Sequence, residues 1–435
     1  MYSRRKIYRR NILTTTTAAT ATEDRISSLS DEIICHILSF IPTKQAVTTT
    51  VLSKRWSHLW LSVPLLNFTD TKLENRESVC RFLHFVNSVL VSRDNAGSLS
   101  INSFYFDVQH AARNHAVSLT SPKLTNWIDI VVKLRVKYLH LLLHLIHDLD
   151  SDDHDDYDDD RRFDFMPKWT SVIPKCPNVI FTCKTLIVLK LRWFRVKGFS
   201  FSSIEFGFPS LKTLHLRDID FDRDQDFMLL LDGCPVLEDF KACCIYTCIE
   251  MKKKELYEEF QSLDLSKLIR ADVTTWYCDF PVKALSNSEF LRIHLREAFT
   301  PYDFPIFHNL TRLVINYDWD LVVEVLDHCP KLQHLDLYQR MRNKCDAYIG
   351  EEEQEDWVEP EFSPQCLSLY LKTCTIRDFA FEGLQKRHLL LARFILQNAR
   401  VLQDMRIWCD MEQPFVERML SLCTRASATC QLLVF

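Results

Sequence analysis

A group of apolar residues soon after the N-terminal tail recurs with the spacing of one face of a helix. They are Ile33, Ile34, Ile37, Leu38 and Ile41. Their spacings of one, three and four residues predict an amphipathic helix. Ser30 could cap this helix through its hydroxyl group, and Pro42 ends it because proline cannot continue a helix.

Two further short segments follow this helix. Thr43 could cap the second segment and Ser53 the third, which carries Trp56. The β-branched residues at 48–50 would also allow a strand in the second segment. We predict a three-helix module over residues 24–62. About forty residues cannot bury this much apolar surface alone, so the module must pack against the rest of the chain or dock another protein.

The rest of the chain repeats a different pattern, with apolar residues at positions i, i+3 and i+5. Clear matches start at Leu186, Leu211, Phe290, Leu310, Leu332 and Leu402, and weaker matches start at Ile101, Val136, Leu237, Leu268 and Cys366. Positions i+3 and i+5 of each match lie two residues apart, so in a strand both side chains would point to the same buried face. Helix-like segments ending in Cys-Pro precede several matches, and we interpret Cys234 and Cys329 there as small buried residues.

The spacing of these matches predicts the fold. In the better-defined part, from Leu186 onward, successive starts lie 20 to 36 residues apart, which is typical of leucine-rich repeats with some insertions. Each unit of one strand and one helix must stack on its neighbours to bury its apolar face. The sequence therefore predicts an α/β fold, in which three helices precede an irregular β/α solenoid shaped like a horseshoe.

Three segments fall outside this solenoid pattern. Residues 1–23 form a basic and threonine-rich tail that we expect to be disordered. Residues 148–160 hold nine aspartates in thirteen positions, and residues 351–361 hold seven acids in eleven. Both acidic runs are predicted to be solvated inserts between repeats.

Charge and composition exclude several classes of function. The chain has 53 basic and 58 acidic residues and a formal charge of −5, so no global field attracts nucleic acid. The six glycines lack the spacing of a phosphate loop, and no cofactor is predicted. No apolar stretch is long enough to span a membrane, and no secretory signal is recognisable. The sixteen cysteines then indicate reduced thiols in the cytoplasm or nucleus.

A search for catalytic and metal-binding motifs finds no enzyme signature. His140, His144 and His147 have a spacing that would let a helix hold zinc. However, residues 136–141 fit the strand pattern, which we expect to split the directions of the three imidazoles. No nucleophile elbow and no HExxH segment occurs. We therefore predict a protein with no catalytic residues and no metal site.

Residues 24–62 closely resemble a plant F-box. The segments that carry the resemblance are 29–32, 37–44 and 51–56, followed by Leu59 and Trp60. One departure is Ser30, where the family usually has proline. Since serine is a good helix cap, we expect only a small loss of rigidity from this departure.

The C-terminal part resembles the FBD domain, and the middle resembles the plant F-box leucine-rich-repeat family. The FBD resemblance rests on residues 363–367, Gly383, 394–402, 425–427 and 430–431. The resemblance implies an F-box over residues 24–70, a leucine-rich-repeat solenoid over 71–360 and an FBD domain over 361–435. We interpret the FBD domain as the terminal repeats and cap of the solenoid.

The resemblance implies that the protein is a non-catalytic substrate-recognition subunit of an SCF-type ubiquitin ligase. The F-box would bind a Skp-family adaptor, and through it a cullin, while the repeats would bind an unknown protein target. Two alternatives stay open at this point. The protein could be an interaction scaffold outside ubiquitination, or a degenerate member of the family.

Hydrophobic docking of helices predicts which residues contact the adaptor. They are Leu29, Ile33, Ile37, Leu38, Ile41, Pro42, Val51, Leu52 and Trp56. Burial inside the module is the competing interpretation for each of them. The outward side of the stacked strands predicts the surface that binds the target. Its candidate residues are Lys212, His215, Arg292, His294, Arg312, Gln333, Asp336 and Arg406.

Overall fold

The computed structural model describes most of the chain after the N-terminal tail. The described residues are 25–26, 28–97, 101–110, 122–145, 173–203, 206–249, 259–260, 262–274, 280–294, 304–316, 319–338, 362–379, 386–409 and 413–435. The predicted tail and both predicted acidic inserts lie outside these residues, as do His147 and Gly383.

Within these ranges, thirteen strands form one sheet in which each strand pairs in parallel with the next along the chain. The strands are β1 (Leu65–Leu73), β2 (Ser103–His110), β3 (Tyr138–Leu145), β4 (Val188–Val196), β5 (Thr213–Arg223), β6 (Asp239–Ile249), β7 (Arg270–Thr274), β8 (Phe290–His294), β9 (Arg312–Asn316), β10 (His334–Tyr338), β11 (Thr373–Phe379), β12 (Asp404–Cys409) and β13 (Gln431–Val434). Neighbour-to-neighbour pairing in chain order is the topology of a solenoid. The prediction of an α/β fold with stacked repeats is confirmed.

Helices precede the sheet and connect many of its strands. They are α1 (Asp31–Leu38), α2 (Thr43–Thr48), α3 (Trp56–Leu59), α4 (Arg76–Asn95), α5 (Pro122–Lys133), α6 (Asp224–Asp232), α7 (Trp319–Asp327), α8 (Gln365–Leu369), α9 (Lys386–Asn398) and α10 (Gln413–Ser421). A 3-10 turn, Thr49–Val51, continues α2, so the second predicted segment is helical and not a strand. None of the described helices is long and apolar enough to cross a bilayer.

The register of the sheet assembles the apolar repeat positions into two continuous rows. The first row is Leu66, Phe104, Leu139, Leu189, Leu214, Phe240, Ala271, Leu291, Leu313, Leu335, Cys374, Met405 and Leu432. The second row lies two residues further along each strand and runs from Phe68 to Val434. Both rows are buried except at β13, where Leu432 and Val434 are half-buried. Stacking therefore buries faces that a single repeat would leave in water.

The i, i+3, i+5 pattern located most strands but not those near the two ends of the sheet. The match starting at Cys366 was wrong, because Cys366 lies in α8 and the strand begins at Thr373. The residues that follow the pattern there are Leu371, Cys374 and Ile376, all fully buried. Strands β1 and β13 were not predicted, although the pattern also fits residues 63–68 ahead of and within β1.

Three adjacent strands share an irregularity at the same position of the sheet. Trp193 in β4, Asp218 in β5 and Cys244 in β6 have φ values of 66°, 55° and 54°. The residues on either side stay in register, because Arg192 pairs with Arg217 before this point and Phe194 pairs with Ile219 after it. One residue per strand in the left-handed region reverses the alternation of side chains. As a result, the buried apolar residues that follow this point are shifted by one position relative to the alternation that precedes it.

The N-terminal helices cover the outer edge of β1. The Thr43 hydroxyl accepts a hydrogen bond of 2.7 Å from the backbone N–H of Asn67 in β1. This bond satisfies a donor that would otherwise be left at the edge of the sheet. It also corrects the prediction that Thr43 caps α2, because Thr43 is the first residue of that helix and Pro42 precedes it. The helix and the sheet are thereby joined through one buried side chain.

The other two predicted caps also differ from expectation. Ser30 occupies the N-cap position of α1 with extended backbone angles, but its side chain makes no cap hydrogen bond. Instead, hydrogen bonds from the backbone N–H of Glu32 and from Ser30 lower the pKa of the Glu32 carboxyl. Helix α3 starts at Trp56, with Arg55 in place of Ser53 before it. Acidic residues in the first turn of α1 thus take over the role expected of the hydroxyl.

Candidate functional site on the N-terminal helices and the open sheet face

The three N-terminal helices form a small apolar core of their own that continues into the main core. Ile34 and Leu38 of α1, Ala46 of α2, and Trp56 and Leu59 of α3 are all buried and belong to one apolar cluster. The thiol of Cys35 donates to the carbonyl oxygen of Leu59 at 3.3 Å. These contacts hold the short helices in place, since helices of four to eight residues are unstable alone.

Five large apolar side chains of the same helices face the solvent. They are Ile33, Ile37, Phe40, Val51 and Leu52, each between 46% and 85% exposed, and we call them the exposed apolar set. Ile33 and Ile37 lie four residues apart on one face of α1, and Val51 and Leu52 follow α2. So many exposed apolar side chains on one small helical unit are typical of a surface that binds another protein.

The nine predicted adaptor-binding residues divide into three groups by burial. Ile33, Ile37, Val51 and Leu52 are exposed and available to a partner. Leu29, Ile41 and Pro42 are half-buried. Leu38 and Trp56 are in the core, where their side chains support the helices and face no partner in this structure. Phe40 was missed, although it lies three residues after Ile37 on the same helix end.

An ion pair closes the helical unit. The guanidinium of Arg55 binds Asp31 at the start of α1 at 2.5 Å and donates to the carbonyl oxygen of Leu29 at 2.5 Å. Both side chains are partly exposed, so the pair contributes little net stability. The pair instead fixes the geometry of the unit, because it connects the start of α1 with the residue that precedes α3.

The other surface of interest is the sheet face opposite the two apolar rows, which we call the open face. Its middle row is Asn67, Tyr105, His140, Lys190, His215, Lys241, Asp272, Arg292, Val314, Asp336, Thr375, Arg406 and Leu433. Most of these side chains are polar, and most are half-buried by their neighbours in the sheet. The row therefore runs across the whole described sheet as one polar band.

Ion pairs between neighbouring strands neutralise much of the charge on the open face. The pairs are His215–Asp239 at 3.3 Å, Lys241–Asp272 at 3.3 Å, Arg292–Asp272 at 3.8 Å, Arg312–Asp336 at 2.9 Å and Arg192–Asp218 at 3.3 Å. Each pair of opposite charges across neighbouring strands stabilises a sheet by about 0.2–1 kcal/mol. The pairing also fixes the side chains that a partner would meet.

The eight residues predicted to bind a target do not form a single row. The middle row contains His215, Arg292, Asp336 and Arg406, and Arg312 lies one row earlier beside Asp336. His294 lies one row later and is buried. The remaining two predicted residues, Lys212 and Gln333, directly precede strands. Lys212 pairs with Glu238 at 2.7 Å, and Gln333 accepts a hydrogen bond from Lys372 at 3.0 Å.

The histidines of β3 lie on the open face but do not form a metal site. His140 and His144 are four residues apart in one strand, so they share a face, and the expectation that a strand splits their directions was wrong for this pair. His140 stacks on Tyr105 with ring centroids 4.4 Å apart, while His144 pairs with Asp107 at 3.0 Å. No group of three metal-ligating side chains occurs among the described residues.

The thiols of the repeat helices are buried, as predicted. Cys234 and Cys329 are at most 1% exposed, and burial raises the pKa of both thiols. Burial raises the pKa of Cys366 to about 12 and that of Cys374 further still. A thiol with a raised pKa is a poor nucleophile and a poor metal ligand. These cysteines therefore serve as small apolar residues of the core.

Comparison with known proteins assigns domains to these parts of the structure. A family model described as the F-box domain matches residues 26–68, which include the exposed apolar set. A model of the leucine-rich repeats of FBD-associated F-box protein At5g56370 matches residues 161–258, and a model of the FBD domain matches residues 359–407. The chain therefore contains regions that match an F-box domain, leucine-rich repeats and an FBD domain, in that order.

Relatives in Arabidopsis thaliana align with this chain over nearly their whole length. Putative FBD-associated F-box protein At3g50710 is 27% identical over 94% of this chain and 100% of the relative. F-box/FBD/LRR-repeat protein At5g56420 is 28% identical over 94% of this chain and 98% of the relative. In the structure, the region matched as FBD supplies β11, α9 and β12, which continue the sheet of the repeats.

A buried arginine connects the F-box to the first repeat. Arg93 of α4 is buried, and its Nη1 donates to the carbonyl oxygen of Val63 at 2.6 Å and to that of Trp60 at 3.3 Å. Burial lowers the pKa of Arg93 to about 10, so the side chain stays charged near neutral pH. Two carbonyl groups at the end of the F-box are thus bonded to the helix that follows β1.

Replacing this side chain should weaken the junction measurably. Arg93→Met keeps a long side chain and removes the Nη1 donor, which leaves the two carbonyl oxygens without these hydrogen bonds at a cost of about 1–3 kcal/mol. Urea unfolding of the full chain measures this loss. The matched control is Arg81→Met on the same helix, whose side chain is exposed and 3.8 Å from Glu77. Equal unfolding midpoints for the two variants would contradict the assignment.

Proposed function

We propose that this protein is the substrate-recognition subunit of an SCF-type ubiquitin ligase. The F-box binds a Skp-family adaptor, which joins the chain to a cullin. The repeats hold a protein target close to the transfer site. The chain itself provides binding surfaces and carries out no bond chemistry, and it acts in the cytoplasm or nucleus.

The observation that carries this proposal is the exposed apolar set on the F-box. Ile33 and Ile37 of α1 point away from the core that Ile34 and Leu38 occupy. Val51 and Leu52 add two more exposed side chains from the turn after α2. Burying such side chains against a partner removes apolar surface from water, which is the main driving force for association. An adaptor with an apolar groove for helices fits this chemistry.

The position of the F-box supports a bridging role. Thr43 and Arg93 attach the helices to the edge of β1, so the F-box sits at one end of the sheet. The open face extends from β1 to β13, away from these helices. Because the adaptor-binding unit is attached at one end of a long sheet, the face of that sheet is left accessible to a second partner.

Affinity purification from plant extract tests the proposal. We expect wild-type full chain to retain a Skp-family adaptor and a cullin, identified by mass spectrometry. The variant Ile37→Asp/Val51→Asp should retain neither, because it places two carboxylates in an apolar interface.

The control uses the same residue types at exposed positions far from the F-box. Ile306 and Val401 are 54% and 40% exposed in the repeat and FBD regions, so Ile306→Asp/Val401→Asp should still retain the adaptor. Recovery of the adaptor with Ile37→Asp/Val51→Asp, or its absence with wild type, would contradict the proposal.

A further inference from the structure

Four consecutive strands place a basic side chain at the same level of the open face. His140 of β3, Lys190 of β4 and His215 of β5 are register partners in the middle row, and Lys241 of β6 is the next. Neighbouring strands lie about 4.8 Å apart, so these side chains are adjacent. A row of basic side chains with no acid among them favours an anion beside it.

Three of the four side chains have a partner within the sheet. His215 binds Asp239 at 3.3 Å and Lys241 binds Asp272 at 3.3 Å. His140 stacks on the ring of Tyr105 at 4.4 Å between centroids.

Lys190 differs from its three neighbours. Across the parts of the chain that the structure describes, its ammonium group has no carboxylate within ion-pair distance and no hydrogen-bond acceptor. Its side chain is half-buried in the middle of the row, with an imidazole on each side.

The electrostatic environment of His140 reflects this uncompensated charge. Burial, and then the positive charges of Lys190 and His215, lower the pKa of His140 to about 4, and Asp107 only partly offsets them. The nearest acids are shared with other groups, since Asp107 pairs with His144 at 3.0 Å, and Asp239, whose carboxyl pKa is lowered mainly by its hydrogen bond with His215 and to a smaller extent by the charge of Lys190, pairs with His215 at 3.3 Å. This part of the open face therefore attracts an anion that the described sheet does not supply.

We propose that Lys190, flanked by His140 and His215, binds an aspartate or glutamate side chain of a peptide segment of the target protein. This proposal rests on the proposed function and specifies the chemistry of its target. One ammonium group matches one carboxylate, and an imidazole N–H of His140 can donate a further hydrogen bond to it. The Tyr105 ring beside His140 offers an apolar platform for the neighbouring part of the peptide. The target is recognised here by acidic residues on an extended segment.

Fluorescence anisotropy of the full chain with a labelled peptide tests the site. The probe is a short fluorescein-labelled peptide of alternating glutamate and serine, and its counterpart has glutamine in place of glutamate. We expect wild type to bind the glutamate probe and not the glutamine probe. Lys190→Gln should bind the glutamate probe about tenfold more weakly, because it loses a charge-assisted hydrogen bond. Lys190→Arg should retain binding, because it keeps the charge.

The matched control is Lys331→Gln, since Lys331 is exposed in the turn before β10 and away from the middle row. It should bind the glutamate probe as wild type does. Equal affinity of Lys190→Gln and wild type would overturn the proposal, and so would failure of wild type to bind the glutamate probe. Binding of a phosphoserine version of the peptide alone would overturn the assignment to a carboxylate.

Adaptor binding of the same protein samples separates this inference from the proposed function. If Lys190→Gln loses the peptide and keeps the adaptor, both proposals are supported. If wild type binds the peptide and no adaptor, the peptide site stands as a binding site and the ligase role fails.

Discussion

Ile37→Asp is expected to abolish adaptor binding without changing the stability of the protein, and its neighbour Leu38→Ala is expected to do the reverse. Ile37 is exposed on α1, so aspartate there costs the folded chain little. In the complex, the same carboxylate would be desolvated against apolar side chains. We expect a loss of at least about 2 kcal/mol of binding free energy, or about thirtyfold in Kd.

Leu38 provides the contrast because it is 2% exposed and packs in the core of the F-box. Shortening it to alanine leaves a cavity that costs about 2–5 kcal/mol of folding free energy. Adaptor titration and urea unfolding of both variants separate the two effects. The interpretation fails if Ile37→Asp unfolds as readily as Leu38→Ala, or if Ile37→Asp keeps wild-type affinity for the adaptor.

The second large effect is expected for Trp127→Ala in the first repeats. Trp127 of α5 is 1% exposed, lies 6.3 Å between ring centroids from Phe106 of β2, and donates from Nε1 to Asn87 of α4 at 3.2 Å. The substitution creates a large cavity and leaves the Asn87 amide oxygen without its donor. We expect a loss of about 3–5 kcal/mol of folding free energy.

Trp408→Ala is the matched control for this substitution, because Trp408 is exposed and stacks on Phe435 with ring centroids 4.7 Å apart. Its unfolding midpoint in urea should lie close to that of wild type. Since repeats contact mainly their neighbours, Trp127→Ala should release hydrogen-exchange protection in β1 to β4 before β10 to β12. A uniform loss of protection along the sheet would contradict the nearest-neighbour interpretation.

The repeat pattern predicted the sheet well because each strand obeys a local rule. Leu214 and Leu216, for example, are buried by the alternation of a strand, whatever the length of the connection before them. The prediction failed at Cys366, where a short helix presents apolar residues at similar spacing to a strand. Strand β13 was missed because the polar residue Thr429 stands at position i ahead of Leu432 and Val434.

The candidate sites were less predictable, because they depend on packing between distant segments. Ile37 and Leu38 are adjacent and equally apolar, and only the position of α3 decides which of them is buried. Likewise, the bond from Thr43 to Asn67 and the bond from Arg93 to Val63 join residues 24 and 30 positions apart. No local pattern in the sequence encodes such contacts.

The contacts on the open face could not be predicted from local sequence patterns either. His215 was predicted as an outward residue, and it is one, but its pairing with Asp239 follows from the register of β5 and β6. Lys190 was not singled out from the sequence, because its lack of an ion pair becomes visible only once its neighbours are in register. The insertions between repeats make that register impossible to count from sequence spacing.

Titration of the purified full chain with a purified Skp-family adaptor tests the central claim most directly. The account predicts saturable one-to-one binding by wild type, with a Kd of about a micromolar or tighter, and a large loss of affinity for Ile37→Asp/Val51→Asp. The Ile306→Asp/Val401→Asp control should bind as wild type does. If wild-type protein that unfolds cooperatively binds no adaptor, the exposed apolar set serves another contact and the ligase-subunit role is wrong.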